Sequence, residues 1–376
     1  MRKKGKFAFC LFKYFPFGGL QRGFIRLAEV CMARGHQVDV YTGSWQGEVP
    51  DGLDVSLLAV RRLTNHRYCE AFAKRLGKCL PARHYDVVVG FNKMPGLDVY
   101  FASDTCFAAR TRGRSFFYRL TGRCRSYLRL ERAVFDKESR TEILLISERE
   151  KALFMDYYGT AEHRFHLLPP GIDKDRLFLG DTTGAREVLR SELSLGTHQN
   201  IVLMVGSDFR RKGVDRAVRA IASLPPDLSE KTILLILGEG KKGSFQRLAR
   251  RLGVSDQVRF LGGRKDAPRF LAAADLLLHP AYEENTGTVL IEAMAAGLPV
   301  LATDVCGYGY HVVRADAGEL VPSPFRQETL DQLLFFVLTS EKKSRWQHNG
   351  RNYVSNTDVF GRPQKAADII EQVAEC

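Results

Sequence analysis

Residues 283–303, with the sequence EENTGTVLIEAMAAGLPVLAT, contain a polar loop, a helix and a strand in succession. The loop has one glycine, the stretch after it is rich in alanine, and Gly297 separates that predicted helix from an apolar strand. Two acids stand eight residues apart here, Glu284 in the loop and Glu292 inside the predicted helix. A helix that leads directly into a continuous apolar strand is typical of a parallel sheet covered by helices.

The same alternation extends outward on both sides of this segment. The predicted strands cover residues 200–206, 232–238, 257–262, 276–281 and 299–303 in the second half of the chain, and residues 7–12, 36–42, 86–91, 97–102 and 142–147 in the first half. Continuous apolar strands separated by helices form parallel sheets that are buried on both faces. The sequence therefore predicts an α/β protein with two doubly wound parallel-sheet domains.

The boundary between these domains is predicted near the sequence LLPPGID, residues 167–173, which cannot be helical through its two prolines. A chain of 376 residues with 45% hydrophobic residues has more apolar material than one core usually holds. We therefore expect an N-terminal domain of residues 1–168, a C-terminal domain of residues 169–360, and a C-terminal helix, residues 361–376, that crosses back to the first domain.

The composition indicates which cellular compartment and which kinds of partner to expect. A formal net charge of +13 attracts polyanions such as nucleic acid, an anionic membrane or a phosphorylated substrate, and the sign alone does not choose among them. Eight scattered cysteines without a CxxC motif favour a reduced cytosolic protein over a disulfide framework or a zinc site. The apolar run at residues 7–12 is too short for a signal peptide, and no apolar stretch is long enough to span a bilayer.

Ligands of doubly wound sheets bind beyond the carboxyl ends of the strands, where three polar loops are expected. In VGSDFRRKG, residues 205–213, Arg211 and Lys212 stand between a strand and a helix, so that two cations and free backbone N–H groups could bind an anion. A solvated basic loop is the alternative. The pair Gly18-Gly19, after the first strand, would let backbone approach a phosphate, although many ordinary turns carry such a pair.

The third loop holds the two acids of the opening segment. If Glu284 and Glu292 both face one site, each carboxylate could accept hydrogen bonds from sugar hydroxyls. One acid on each side of a diphosphate would suit a nucleotide sugar, with one acid for the hexose and one for the ribose. The alternative is a capping acid at the helix N-terminus and a salt-bridged acid within the helix.

These motifs together resemble a known family. The two acids, AMAAGLPVLAT after them and GSDFRRKG upstream are similar to retaining glycosyltransferases of family 4, which have the GT-B fold. The strings KYFPFGGLQR, FNKMPGLDVYFA, LPPGI, AADLLLHPAY and VCGYGYH, spread over residues 13–311, resemble the lipopolysaccharide core glucosyltransferase I (WaaG-type) branch. The resemblance implies two Rossmann-like domains that face a cleft and bind a UDP-sugar.

The resemblance also implies roles for individual residues. Glu284 would bind the hexose hydroxyls and Glu292 the ribose, while Arg211 and Lys212 would neutralise the leaving diphosphate, a role that grows in the transition state. Because these cations can replace a metal ion, we expect no metal and no cofactor. The other donor-binding residues that the resemblance implies are Gly18, Gly19, Gly206, Ser207, Gly263, Arg264, Asn285, Thr286 and Gly287.

The chain departs from the family pattern in two places. The segment FASDTCF has Asp104 where most of the wider family has a histidine near the sugar. Asp104 is a candidate catalytic residue that contacts the hexose or assists the acceptor, or it only ends a strand. Gly23 stands where the branch often has an acid, which affects how the acceptor would be chosen or activated.

One segment, residues 109–132, has an extreme charge: ARTRGRSFFYRLTGRCRSYLRLER contains eight arginines against one acid, Glu131. Cations interleaved with aromatic residues suit an anionic membrane surface, and equally RNA. The resemblance favours the membrane, because the acceptor of that branch is lipid-anchored and phosphorylated. The residues predicted to form this surface are Arg110, Arg112, Arg114, Phe116, Phe117, Arg119, Arg123, Arg125 and Arg129.

The whole chain is therefore interpreted as a retaining, UDP-sugar-dependent hexosyltransferase that acts on an inner-core heptose of lipopolysaccharide, with glucose as the favoured hexose. We expect it to be cytoplasmic and peripheral on the inner face of the cytoplasmic membrane. One alternative is a family 4 enzyme with another glycolipid or polysaccharide acceptor. A nucleic-acid-binding protein is the alternative from another class, which two carboxylates at a binding site disfavour because they repel a phosphate backbone.

Overall fold

The computed structural model describes residues 4–16, 19–178 and 180–375. The chain divides into two compact units, one formed by Met1–Pro169 with Gly361–Cys376 and the other by Pro170–Phe360. The segment with two successive prolines contains the first boundary between them, as proline restricts both itself and the residue before it to extended backbone.

The first unit is an alternation of strands and helices. Its elements are β1 (Lys6–Leu11), α1 (Gly19–Ala33), β2 (Gln37–Thr42), β3 (Asp54–Leu57), α2 (Asn65–Cys79), β4 (Val87–Gly90), β5 (Val99–Ala102), α3 (Phe107–Thr111), α4 (Phe116–Leu120), α5 (Gly122–Phe135), β6 (Glu142–Leu145), α6 (Glu148–Tyr158) and β7 (Phe165–Leu167), with 3₁₀ turns at Leu80–Ala82 and Glu162–Arg164. The strands form one seven-stranded sheet in the order β3-β2-β1-β4-β5-β6-β7.

The second unit repeats this plan after a 3₁₀ turn at Lys174–Arg176. Its elements are α7 (Thr182–Glu192), β8 (Asn200–Val205), α8 (Val214–Ala222), α9 (Pro226–Ser229), β9 (Thr232–Leu237), α10 (Gly243–Arg251), β10 (Val258–Gly262), α11 (Ala267–Ala273), β11 (Leu276–His279), α12 (Thr288–Ala296), β12 (Val300–Thr303), α13 (Gly309–Ala315), β13 (Gly318–Val321), α14 (Gln327–Thr339) and α15 (Lys343–Ser355). The six strands have the order β10-β9-β8-β11-β12-β13.

Every strand pair in both sheets is parallel, and each sheet has a hydrophobic cluster on each face. Residues of α1 lie in the cluster on one face of the first sheet, and residues of α2, α5 and α6 lie in the cluster on the other. The predicted pair of doubly wound α/β domains is thereby confirmed. Continuous apolar strands are what two-sided burial requires.

The last helix, α16 (Arg362–Ala374), belongs to the first unit and packs beside α1. Arg34, just beyond the end of α1, donates to Asp368 at 2.9 Å and to Glu371 at 3.1 Å, and the buried ring of His36 lies 3.0 Å from Glu371. Apolar residues of α16 such as Ile370 complete the core under α1. The C-terminal segment therefore fills part of the first core rather than extending the second.

The arginine-rich segment is three helices, α3, α4 and α5, and not one long helix. Ser115 accepts a hydrogen bond from the backbone N–H of Tyr118, and Thr121 accepts one from Cys124, so hydroxyl caps begin α4 and α5. Within the described ranges of the chain, no helix is both long enough and apolar enough to cross a membrane.

Candidate functional site

The loops after β8 and β11 meet at the centre of the second sheet. These two strands pair directly, yet the chain crosses to opposite sides of the sheet from them, because β9 and β10 follow on one side and β12 and β13 on the other. Such a reversal of strand order leaves a crevice at the carboxyl ends of the strands, where doubly wound folds bind ligands. The loop after β8 carries Arg211 and Lys212, and the loop after β11 carries Glu284.

At this point the structure brings together three of the predicted catalytic residues. Lys212 Nζ forms an ion pair with Glu284 Oε2, and Arg211 Nη1 lies 3.3 Å from the same oxygen. The side chains of Lys212 and Glu284 are only 12% and 10% exposed. A carboxylate held between two cations in a largely buried position is a charged cluster rather than a solvated basic loop.

His279, the last residue of β11, is the fourth residue of this cluster. Its ring is fully buried and Nε2 lies 3.5 Å from Glu284 Oε2, but neither ring nitrogen makes a hydrogen bond within the described part of the chain. Burial acts to raise the pKa of Glu284, but His279, Lys212 and Arg211 together hold it well below its usual range. Burial and the charge of Lys212 lower the pKa of His279, which favours the neutral form of its imidazole beside the ionised Glu284.

The two loops are locked to each other by close backbone contact. Gly213 has φ +75°, and a Cβ there would collide with the carbonyl of Pro280, so only glycine allows this approach. The backbone N–H of Tyr282 donates to the carbonyl of Arg211 at 2.8 Å. Arg216 lies between the rings of Tyr282 and Phe325, 3.6 and 3.5 Å from their centroids. This packing fixes the loop of Glu284 relative to the two cations.

Glu292, the second acid of the opening segment, lies on α12 and is 5% exposed. Arg176 binds both of its oxygens, with Nε–Oε1 at 3.1 Å and Nη2–Oε2 at 3.0 Å. The salt-bridged alternative therefore describes Glu292 in this structure, but the carboxylate keeps acceptor sites that the guanidinium does not use. Sequence reasoning missed Arg176, which is 116 residues away along the chain.

Around the cluster, the predicted donor-binding residues Gly206, Ser207 and Gly263 lie just after β8 and β10. Gly206 has φ +145°, and a Cβ there would lie 2.9 Å from Lys212 Cε. Glu239, after β9, receives the backbone N–H of Gly263 at 2.9 Å and donates its own N–H to Ser207 Oγ at 3.2 Å. Glu239 ties three carboxyl-end loops together and was not predicted.

The remaining predicted residues of the second unit lie in two loops. Gly287 has φ +81° and precedes the first residue of α12, while the carbonyl of Thr286 accepts from Tyr308 N–H at 2.7 Å. Asn285 lies between Glu284 and Thr286 in the same loop. Arg264 makes a two-bond ion pair with Asp266, both bonds at 2.8 Å. Binding of a nucleotide by these residues stays a prediction.

In the first unit, Gly19 is the first residue of α1, Gly18 lies outside the described residues, and Asp104 is exposed in the loop after β5. Gly23 lies within α1, and a Cβ there would be 3.9 Å from the ring of Phe101. Gly19 follows β1 and Asp104 follows β5, and the two strands are parallel members of one sheet, so both residues lie at the same edge of that sheet.

The loop of Asp104 is anchored by an acid that sequence reasoning treated only as part of the arginine-rich segment. Glu131 on α5 is 0% exposed and accepts the backbone N–H groups of Phe107 at 2.8 Å and Ala108 at 2.9 Å. It also accepts the hydroxyl of Tyr158 at 2.8 Å and pairs with Lys93, which donates to the carbonyl of residue 105 at 2.8 Å. One buried carboxylate thus holds the start of α3 against α5 and α6.

The predicted membrane residues form an exposed group that we call the arginine surface. Phe116 is 69% and Phe117 80% exposed, and the arginines of the group are exposed as well: Arg110, Arg112, Arg114, Arg119, Arg123, Arg125 and Arg129. Attachment of this surface to a membrane stays a prediction.

The loops after β8 and β11 bring together two cations and a carboxylate, groups that can bind an anion and a hydroxyl group side by side. In the ranges 4–16, 19–178 and 180–375, no group of three or more His, Cys, Asp or Glu side chains is arranged to hold a metal ion. Independence from a metal nevertheless stays a prediction.

Comparison with known proteins identifies relatives over nearly the whole chain. The family Glycosyltransferase Family 4 matches residues 17–176, and the family Glycosyl transferases group 1 matches residues 185–353. The lipopolysaccharide glucosyltransferase WaaG of Escherichia coli is 46% identical over 365 residues, which cover 96% of this chain and 98% of that protein.

Solved structures agree with these sequence matches. A crystal structure of WaaG, described as a glycosyltransferase involved in lipopolysaccharide biosynthesis, superposes with a TM-score of 0.90 over 97% of this chain and 99% of that chain. The sucrose-phosphate synthase of Thermosynechococcus elongatus shares the fold, with a TM-score of 0.77 at 20% identity over 98% of this chain and 99% of that chain.

Proposed function

The chain belongs to the GT-B glycosyltransferases that include the lipopolysaccharide glucosyltransferase WaaG, and from that membership we propose that it transfers a hexose from a UDP-sugar to an inner-core heptose of lipopolysaccharide, with retention at the anomeric carbon. Glucose is the first candidate for the hexose. The observation that carries the proposal is the cluster of Glu284, Arg211 and Lys212 at the strand-order reversal of the second sheet, in a chain 46% identical to that enzyme.

In the proposed donor complex, Arg211 and Lys212 bind the diphosphate instead of Glu284. Arg211 and Lys212 can each offer more than one N–H donor, and a diphosphate carries more charge than the Glu284 carboxylate with which they pair in this structure. The exchange frees Glu284 to accept hydroxyl hydrogen bonds from the hexose. Glu292, held by Arg176, accepts the ribose hydroxyls with its remaining lone pairs.

The cations then act most strongly in the transition state. As the bond from the anomeric carbon to the phosphate oxygen breaks, negative charge builds on that oxygen, and donors already in place stabilise it without reorganisation. The acceptor hydroxyl attacks the anomeric carbon from the same face from which the leaving group departs. Its proton passes to the leaving phosphate oxygen. Atoms and charge balance in this step without a catalytic base from the protein.

We place the acceptor on the side of the first unit, where Asp104 is exposed on a loop anchored by Glu131. The acceptor is lipid-anchored and phosphorylated, which suits the arginine surface that continues from the same loop. The enzyme is proposed to work in the cytoplasm, attached peripherally to the inner face of the cytoplasmic membrane.

The test is a transfer assay with a panel of UDP-sugars and two acceptors, a truncated lipopolysaccharide that ends in inner-core heptose and the same material already capped with hexose. We expect transfer from UDP-glucose to the uncapped acceptor alone, with the α configuration of the donor retained in the product. Transfer to an unrelated glycolipid but not to the heptose acceptor would contradict the proposed acceptor while leaving the glycosyltransferase activity in place.

A further inference from the structure

One surface loop of the first unit exposes an apolar side chain completely. In the loop of residues 58–64, between β3 and α2, Leu63 has a relative exposure of 105%, so its whole side chain lies in water. Arg61 and Arg62 precede it, Arg67 follows in the first turn of α2, and all three are exposed. We call these four residues the Leu63 patch.

Within the described residues, no ion pair joins a cation of this patch to an acid. Neither Arg61 nor Arg62 lies within ion-pair distance of a carboxylate in the parts of the chain that the structure describes, and the only hydrogen bond that the side chain of Arg62 makes there is to the carbonyl of Arg61, at 3.0 Å. Residues 55–85 contain seven Lys and Arg residues against one acid, Glu70. Glu70 itself is paired with Arg129 of α5 at 3.2 Å.

The Leu63 patch borders the arginine surface. The first turn of α2 meets the first half of α5, since Asn65 donates to the hydroxyl of Tyr127 at 3.0 Å and a Cβ on Gly122 would lie 3.9 Å from His66 Nε2. The loops that follow β3 and β5 also leave the same carboxyl edge of the first sheet. The two cationic groups therefore form one continuous face of the first unit.

We propose that the Leu63 patch is a second attachment point to an anionic lipid bilayer, separate in sequence from the arginine surface and continuous with it in space. This inference rests on the proposed membrane attachment of the enzyme. Leu63 inserts among the lipid head groups, and Arg61, Arg62 and Arg67 pair with lipid phosphates. A bilayer fits better than RNA, because an aliphatic side chain offers no face on which a base can stack.

The test compares vesicle binding of matched variants. Arg61→Gln/Arg62→Gln removes two charges from the patch, and Lys74→Gln/Lys78→Gln removes two exposed charges from the other end of α2. These lysines lie about 13 and 20 Å along the helix axis from Asn65, beyond a Debye length of about 8–10 Å. The readout is cosedimentation with vesicles of equimolar phosphatidylcholine and phosphatidylglycerol, beside vesicles of phosphatidylcholine alone, with the thermal midpoint confirming that each variant is folded.

Each cation close to the surface contributes about fivefold to partitioning, so Arg61→Gln/Arg62→Gln should bind the anionic vesicles about 25-fold more weakly, and the lysine control should bind within about twofold of wild type. Equal weakening of the two double variants would overturn the proposal, because it would show a dependence on net charge alone. Wild-type binding by Arg61→Gln/Arg62→Gln would also overturn it, and would leave the arginine surface as the attachment site.

A second variant tests insertion directly. Leu63→Trp should show a blue-shifted emission with anionic vesicles and quenching by brominated acyl chains, measured as the difference from wild type, which contains Trp45 and Trp346. Unchanged emission of Leu63→Trp on bound protein would overturn the insertion. If wild type prefers single-stranded RNA to these vesicles at equal ionic strength, both this inference and the proposed membrane attachment fail, whereas hexose transfer in solution would remain to support the enzymatic function.

Discussion

Glu284→Gln separates the charge of the acid from its shape at the centre of the candidate site. The substitution keeps the size of the side chain and one carbonyl acceptor, but it leaves Lys212, which is 12% exposed, without an anionic partner. Arg211 loses the same partner but is about two-fifths exposed, so water can solvate it. The structure therefore predicts two separate effects, one on stability and one on turnover.

The magnitude of the first effect follows from burial. Unit charges about 4 Å apart attract each other by about 4 kcal/mol at an effective dielectric constant of about 20. Removing one partner of a buried ion pair costs about 3–5 kcal/mol in the free energy of unfolding, because the other charge stays buried. Since Gln can still accept a hydrogen bond from Lys212, we expect the loss at pH 7 to lie near the lower limit, at about 3 kcal/mol.

The second effect concerns donor turnover. A hydrogen bond to a charged group contributes about 1.5–3 kcal/mol, which corresponds to about ten- to hundredfold in kcat/KM. The assay is hydrolysis or transfer from the UDP-sugar at a temperature where urea titration shows the variant fully folded. Glu328→Gln, which removes an exposed acid from α14 of the same unit, is the matched control and should be within about twofold of wild type in activity.

The stability difference should also depend on pH with a definite sign. The folded-state pKa of Glu284 lies below its unfolded value of about 4.3, so its ionisation stabilises the fold fully above that value. This stabilisation is lost as the pH falls from about 5 through the folded-state pKa, because the unfolded state then binds the proton first. The difference between wild type and Glu284→Gln should therefore shrink below about pH 4. A folded variant with wild-type turnover, or a stability difference that stays constant down to about pH 3, would refute the reasoning.

Three further predictions follow from other contacts. Arg176→Lys should raise the KM for the UDP-sugar about tenfold with little change in kcat, because an ammonium group lacks the planar fork that fixes the orientation of Glu292; an unchanged KM in steady-state kinetics would contradict this. Glu131→Gln should raise the acceptor KM more than the donor KM, because the amide group cannot accept from every donor that anchors the loop of Asp104; equal changes in both would indicate a general loss of structure. Transfer should persist in excess EDTA, since cationic side chains are proposed to stand at the diphosphate; loss restored by Mg²⁺ would contradict that role.

The strands and the polar loops could be predicted because their signals are local in sequence. A short continuous apolar run such as Thr232–Leu237 is typical of a strand in a covered parallel sheet, and the loops after such strands lie at one edge of the sheet. The grouping of Arg211 and Lys212 with Glu284 follows from that edge, and the structure shows these three in contact. Their role in binding the donor stays a prediction.

The partners that complete the site could not be predicted, because they depend on tertiary proximity. Arg176 and Glu292 are far apart in sequence, and periodicity tells which face of a helix is buried but not which side chain meets it. Glu239 could not be predicted for the same reason, because its contacts to Ser207 and Gly263 depend on which strands are neighbours in the sheet. The break of the arginine-rich segment into three helices, by contrast, had local signals in its two hydroxyl caps, at Ser115 and Thr121.

Glu131 shows how a residue count can mislead about a surface. In the sequence it is one acid among eight arginines, which suggests partial neutralisation of their charge. In the structure its carboxylate is fully buried and is occupied by Lys93, Tyr158 and the first N–H groups of α3. The arginine surface therefore presents its cations without that counter-charge, while the opposite side of the same helix, α5, fixes the loop of Asp104. One helix thus connects the face proposed to bind the membrane with the loop proposed to meet the acceptor, so changes to the arginines should be measured on acceptor kinetics as well as on vesicle binding.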